Sequence, residues 1–277
     1  MPMPHARSHD RQPVVAGQFY PAGADALMRE VRGYLAQAKP KGQAPTILAM
    51  APHAGYCYSG AVAGATLGQA NLARTVLLLG PNHTGLGKPF AIWPDGRWTF
   101  PGGALAVDAP LAAHLCEKEP RLIPDTLAHQ REHSLEVLLP FLAALDPETS
   151  IVPLCVSNPS LDTLMAVGAA IGQALRQWQA PVSIVVSSDM SHYVPHQVAQ
   201  AQDAEALEPA LRLDATAFYE TVRGRGISMC GVLPMTVGIC AARELGATRA
   251  EVAAYATSGQ VNGDADRVVG YAGLLAD

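Results

Sequence analysis

Short runs of apolar, β-prone residues recur along the chain with helix-length gaps between them. Thr46–Ala51 (TILAMA) and Thr75–Gly80 (TVLLLG) enclose Ser59–Ala70. Ile151–Ser157 (IVPLCVS) and Val182–Asp189 (VSIVVSSD) enclose Ser160–Trp178. Within each pair the starts lie about 30 residues apart, the length of a βαβ unit. Runs that are apolar on both faces predict parallel strands covered by helices on each side. Leu27, Val31, Tyr34 and Leu35 mark a helix over Ala24–Ala38. Further helices are predicted over Ser134–Leu145, Val198–Leu207 and Leu213–Arg223. Pro234–Leu245 carries proline near its first turn and Gly246 past its end, the expected helix asymmetry. Pro89–Gly103 reads as an irregular excursion or short hairpin, and Glu251–Ser258 and Arg267–Leu275 read as two closing strands. The pattern predicts one α/β domain over 13–277 with a central, largely parallel or mixed sheet flanked by helices. Residues 1–12 (MPMPHARSHDRQ) read as a disordered polar tail.

Composition narrows the function classes. The 277 residues carry 19 Lys+Arg against 24 Asp+Glu, a formal charge of −5, without the basic clustering of a nucleic-acid groove. Apolar residues make up 49%, enough for a large core. The longest apolar stretch, Leu164–Leu175, contains Gln173 and falls short of the ~18 residues of a spanning helix. The start has no apolar signal core, so a cytoplasmic protein that neither spans nor binds a membrane is expected. Five cysteines (57, 116, 155, 230 and 240) without paired spacing fit a reducing compartment.

In an open α/β sheet, ligands gather beyond the carboxyl ends of the strands. Three predicted strands run out into histidine there: Ala51-Pro52-His53, Gly80-Pro81-Asn82-His83, and Ser187-Ser188-Asp189-Met190-Ser191-His192. Each histidine alone is an ordinary loop residue; three at one end of a sheet point to a site. Cys230, just before the helix near Pro234, is placed to feel a positive helix end that favours thiolate. Cys116, Cys155 and Cys240 sit in apolar segments and read as small buried hydrophobes; Cys57, beside the His53 loop, reads either way. His133 and Glu136, three apart at a predicted helix start, are placed to meet, either as a cap with a local hydrogen bond or with Glu136 orienting a metal-bound histidine. His5, His9, His114, His129 and His196 read as tail or surface residues. GxSxG, GxGxxG and HExxH are absent, and Leu86 stands where a P-loop requires lysine.

Seven motifs in register carry a resemblance. They are Gly17-Gln18-Phe19-Tyr20-Pro21, Ala51-Pro52-His53-Ala54-Gly55-Tyr56, Gly80-Pro81-Asn82-His83, Glu132-His133-Ser134-Leu135-Glu136, Ser187-Ser188-Asp189-Met190-Ser191-His192, Met229-Cys230-Gly231 and Val269-Gly270-Tyr271-Ala272. From about Arg11 onward the chain resembles the Memo family, whose bacterial and archaeal members are called AmmeMemoRadiSam system protein B. The resemblance implies a fold similar to class III extradiol dioxygenases, which hold non-haem iron with two histidines and a glutamate. Carried over by motif, His53, His83 and Cys230 would be the metal ligands, His192 the acid/base group and Asp189 its companion. Tyr20 and Tyr58 would line the substrate mouth.

Three functional expectations follow. The first is a redox or dioxygenase-like enzyme of unidentified substrate, with iron(II) or copper in a His/His/Cys site. The second is a zinc hydrolase using the same ligands, since thiolate in place of carboxylate softens the donor set. The third is a non-enzymatic protein that binds a peptide or partner in the inherited cleft; the family name points to AMMECR-type and radical-SAM partner proteins.

Overall fold

Alternation along the central strands sorts their side chains into two cores. Leu48, Met50, Leu77 and Leu79 face one core, whereas Ala49, Ala51, Val76 and Leu78 face the other. The computed structural model describes residues 9–41, 44–158 and 160–277. In chain order it contains α1 (Ala24–Leu35), β1 (Leu48–Ala51), α2 (Tyr56–Gln69), β2 (Thr75–Pro81), β3 (Phe90–Ile92), β4 (Arg97–Phe100) and β5 (Gly103–Val107). Next come α3 (Ala109–Lys118), β6 (Ile123–Pro124), α4 (Leu139–Leu145), β7 (Ser150–Val156), α5 (Leu161–Gln177), β8 (Val182–Ser187) and β9 (His192–Val194). The chain ends with α6 (His196–Leu211), α7 (Ala215–Gly224), α8 (Val232–Glu244), β10 (Ala250–Thr257), α9 (Gly259–Asn262) and β11 (Val268–Ala276).

The sheet is mixed, in the order β10-β11-β1-β8-β2-β7-β3-β6. β1, β8, β2 and β7 run parallel, as their apolar runs predict. β11 joins β1 antiparallel and β10 joins β11 antiparallel, so the two closing strands form one edge. The first core packs α5 and α8 on one face, and the second packs α1, α2 and α4 on the other. The single α/β domain with helices on both faces is as expected. No helix among the described residues is long and apolar enough to cross a membrane.

Two regions gain detail and one local expectation changes. The Pro89–Gly103 excursion resolves into β3, paired with β7, and a β4–β5 hairpin. A helix the pattern did not single out, α3, follows it, capped by Asp108, whose side chain accepts the Leu111 N–H. The predicted helix at Ser134 begins only at Leu139. Before it lies a 3-10 turn, Glu136–Leu138, and Pro140 supplies the φ of a first turn without needing a donor.

The expected polar tail also changes. Residues 1–8 lie outside the described residues, but Arg11 is buried at 3% exposure. Its backbone exchanges hydrogen bonds with the hairpin at Arg97 and Thr99. Its guanidinium lies 4.4 Å from the centre of the Trp98 ring. Nη1 donates to Glu136 Oε2 at 2.7 Å, Nε to the His129 carbonyl at 2.9 Å, and Nη2 to the Glu132 carbonyl at 2.6 Å. Glu136 also accepts the N–H groups of Val14 and Val15 and the Tyr20 hydroxyl. A charge in a polar stretch of sequence carries no sign of a carboxylate more than a hundred residues away.

Removing one member of a buried, hydrogen-bonded ion pair costs about 3–5 kcal/mol, because the other charge is left unpaired. Glu136→Ala is expected to lie at the upper end of that range. It strands Arg11, the Tyr20 hydroxyl and two backbone donors together, whereas Arg11→Met leaves Glu136 and the carbonyls of Gln12, His129 and Glu132 without their donor; urea melts of the two variants will show whether the carboxylate is the larger loss.

Candidate metal centre

β8 lies between β1 and β2, so the loops leaving these three adjacent parallel strands converge beyond their carboxyl ends. β1 leads into His53, β2 into His83, and β8 into Asp189 and His192. A fourth imidazole, His133, arrives from the segment just before the 3-10 turn. Gly80 makes room for it: a Cβ there would stand 2.5 Å from Leu135 Cδ2 and 2.9 Å from Ser134 Oγ. A larger residue at position 80 would press on the Ser134 and Leu135 side chains that follow His133.

His53, His83 and His133 each offer a nitrogen lying within 4.8 Å of the others. Metal–nitrogen bonds of about 2.1 Å allow ligand atoms to stand at most about 4.2 Å apart, so a small contraction would close the group on an ion. The His83 and His133 rings are stacked, with centroids 4.8 Å apart and planes at 22°. His53 meets both edge-on at 5.3 and 5.5 Å. Phe19 packs on His133 at 4.8 Å.

Hydrogen bonding decides which nitrogen each ring presents. The Ser187 hydroxyl donates to the Ser134 carbonyl at 2.6 Å, so toward His53 Nδ1, at 2.8 Å, it can only accept. His53 therefore carries its proton on Nδ1 and keeps a lone pair on Nε2. His83 Nδ1 lies 2.8 Å from Glu132 Oε1, and its backbone N–H donates to Oε2 at 2.6 Å. That carboxylate also accepts the Ser134 N–H and stands 3.6 Å from His133 Nδ1. His83 Nε2 is thereby left as the free donor. This is the arrangement that orients imidazole ligands and sets their tautomers in metal proteins.

The charges follow from burial and pairing. Burial, with the neighbouring imidazoles, holds His53 well below its usual pKa, so it is neutral. Burial likewise lowers His133 against the pull of Glu132. Burial also opposes protonation of His83, but the hydrogen bond and charge of Glu132 outweigh it and raise the group. Burial would raise Glu132; its hydrogen bonds and the charge of His83 instead bring it down to about 2.

Cys230 stands at the edge of this group. Its Sγ lies 3.3 Å from His53 Nε2 and accepts the Asp189 N–H at 3.2 Å. α8 begins just after it, as expected, yet the positive helix end does not prevail. Burial and the charge of Asp189 push the thiol upward, which keeps the proton on sulfur. His192 Nδ1 lies 2.8 Å from the Ser228 carbonyl, an acceptor only, so Nδ1 carries a proton and Nε2 is the ring nitrogen turned away from Ser228. Asp189, expected to steady His192, instead accepts the His53 N–H at 2.8 Å, and burial pushes its carboxyl up.

Tyr20 is buried and gives its hydroxyl to Glu136 at 2.6 Å, while Tyr58 is exposed on α2. Glu136 orients no histidine, since its oxygens are taken by Arg11, Tyr20 and the strap at Val14 and Val15. The carboxylate that does so is Glu132. Both lie in one motif, and only the fold shows which of them faces the rings. His129, expected at the surface, is fully buried, with Nε2 2.9 Å from the Ala91 carbonyl and Nδ1 3.4 Å from Cys155.

The profile of the Memo-like protein family matches residues 11–275. A MEMO1 family protein of Methanopyrus kandleri is 38% identical, covering 96% of this chain and 98% of its own. One of Methanosarcina barkeri is 38% identical over 96% of this chain and 100% of its own, and one of Aquifex aeolicus 39% over 96% and 98%. With its motifs in register and matched relatives nearly as long as itself, the chain belongs to the Memo-like protein family.

Proposed function

We propose that the protein is a metal-dependent oxidoreductase of dioxygenase-like type. His53, His83 and His133 would hold one iron or copper ion, with Cys230 beside His53 as a further donor. The observation that carries this reading is the convergence of imidazoles whose Nδ1 atoms are already engaged at His53 and His83. The donor set fits a transition ion: two of the three rings have burial-lowered pKa values and keep their lone pairs, and a thiol adds softness. Bound there, iron or copper would supply one-electron chemistry and an open position for substrate or dioxygen.

The chain's own groups have separate tasks. Glu132 holds His83 in its ligating tautomer and places a negative charge beside the cluster. His192, its Nδ1 proton given to Ser228, offers Nε2 to take a proton from a substrate, the role of a general base. Phe19 walls the cluster on the His133 side. One observation favours a second reading: three histidines suit zinc as well, with His192 acting as base in a hydrolytic reaction. Binding of a partner in the cleft, with no metal at all, is the third outcome of the same measurement.

Metal analysis of anaerobically purified, untagged protein is expected to find close to one iron or copper per chain, lost in His53→Ala and His83→Ala. Zinc at that level selects the hydrolytic reading, and no metal after reconstitution leaves partner binding. His133→Ala and Cys230→Ser, titrated side by side, show which completes the donor set; the larger loss of affinity identifies it. Glu132→Gln is expected to weaken metal binding about 10–100-fold while leaving the fold intact.

Glu132 also sets an acid limb in the metal-free protein. Its folded pKa of about 2 lies below the ordinary carboxylate value, so its contribution to stability is present above that ordinary value. It is lost as pH falls toward 2. Acid titration of unfolding should show this limb in the wild type and a shallower one in Glu132→Gln.

A further inference from the structure

One of the seven sequence motifs, Val269-Gly270-Tyr271-Ala272, touches none of the three imidazoles. It leads to a carboxylate the proposed chemistry does not use. Asp203 on α6 is fully buried, and among the described residues no lysine or arginine pairs with it. Such a group is costly unless its oxygens are hydrogen-bonded. Oδ1 accepts the Ser191 N–H at 2.9 Å, and Oδ2 accepts the Tyr255 hydroxyl of β10 at 2.8 Å.

Gly270 of β11 closes the arrangement. A Cβ at this position would stand 1.9 Å from Asp203 Oδ2 and 3.2 Å from Met190 Cβ. Its own N–H donates to the Ser191 carbonyl, and its carbonyl accepts the Met190 N–H, both at 2.8 Å. Met190 and Ser191 are thus gripped by α6 and β11, with β10 bracing Asp203 from behind. They are the two residues that join Asp189 to His192.

The chain pays for this grip two residues later. Val269 pairs with His192 and Val268 with Val194, with a register shift between them, so Tyr193 is the extra residue of a bulge. Tyr193 has φ +60, a conformation uncommon outside glycine. Leu213, the other such residue among those described, buries its side chain to 2% exposure. Tyr193 is 66% exposed, its ring meeting His192 at 5.8 Å and the Arg267 guanidinium at 5.6 Å, so it gains far less burial than Leu213 and its backbone depends on the pairing around it. What the turn secures is His192, whose N–H reaches Ser228 Oγ at 2.7 Å and whose Nδ1 reaches the Ser228 carbonyl at 2.8 Å.

We infer that Asp203 is a positioning residue for His192. Through Ser191, and with Gly270 packed against it, it fixes the turn that docks the ring on Ser228 and turns Nε2 free. The inference rests on the proposed role of His192 as the proton-moving group. It explains why the fold places glycine at 270 and a buried acid at 203, both outside the group of three imidazoles.

Nitrogen NMR of the full-length, chelator-treated protein with labelled histidine, at a pH where the rings are neutral, reads the tautomer of each ring. The His192 signal is assigned by its absence in His192→Gln. The wild type is expected to show His192 with its proton on Nδ1. Asp203→Ala should lose that signature and give the free-imidazole mixture, in which Nε2–H dominates, while His53 and His83 keep theirs. Asp203→Asn retains an oxygen for the Ser191 N–H and should keep the wild-type signature. Gly270→Ala leaves every hydrogen-bonding group in place but displaces the carboxylate, and should lose it.

A folded Asp203→Ala or Gly270→Ala protein whose His192 still carries the proton on Nδ1 would overturn the inference. So would loss of the His53 and His83 signatures along with that of His192 in both variants, which would make Asp203 a general stabilising group. Metal content measured beside these spectra keeps the two proposals apart. A metal-free wild type defeats the oxidoreductase reading, while the comparison of His192 tautomers still decides the role of Asp203.

Discussion

The buried pair between Arg11 and Glu136 is the constraint on which the site side of the molecule depends. One guanidinium binds a carboxylate and the carbonyls of Gln12, His129 and Glu132, and through the last two fixes both ends of the segment that carries His133. The carboxylate in turn fastens Val14, Val15 and Tyr20, which brings Phe19 onto the His133 ring. Every member of this clasp is satisfied, which is the condition for a buried ion pair to hold rather than weaken a fold.

Behind the imidazoles a single chemical pattern repeats. Three of the four rings are anchored through Nδ1 by an oxygen that accepts: Ser187 Oγ for His53, Glu132 for His83, the Ser228 carbonyl for His192. The anchors differ in charge, and so do the rings. A neutral hydroxyl leaves His53 to be governed by burial and kept neutral. A buried carboxylate pulls His83 toward the protonated form, which sets it apart from its two neighbours in the cluster. Environment, rather than residue type, divides these histidines into separate tasks.

The strand framework was legible because two-faced apolar runs about 30 residues apart leave few alternatives to a covered parallel sheet. The placement of His53, His83 and His192 was legible for the same reason, since sheet topology sends consecutive strand ends to one side. His133 was less so. It sits just before a predicted helix, and its approach to His83 relies on the space Gly80 leaves for the Ser134 and Leu135 side chains, a steric fact with no local signal. The thiol of Cys230 shows the limit in the other direction: helix polarity is readable from sequence, but desolvation, which outweighs it here, depends on what packs around the sulfur.

By itself, then, the sequence determined the layers of the fold, the end of the sheet where chemistry gathers, and the family through motifs in register. Those are properties of patterns along the chain. Only the tertiary structure decided that Glu132 rather than Glu136 steadies a ring, that Ser228 rather than Asp189 orients His192, and that Arg11 is core rather than tail. Each of these is a choice among equivalent polar groups. It is settled by pairing and burial between segments far apart in sequence, because a buried polar group must find a partner wherever the fold provides one.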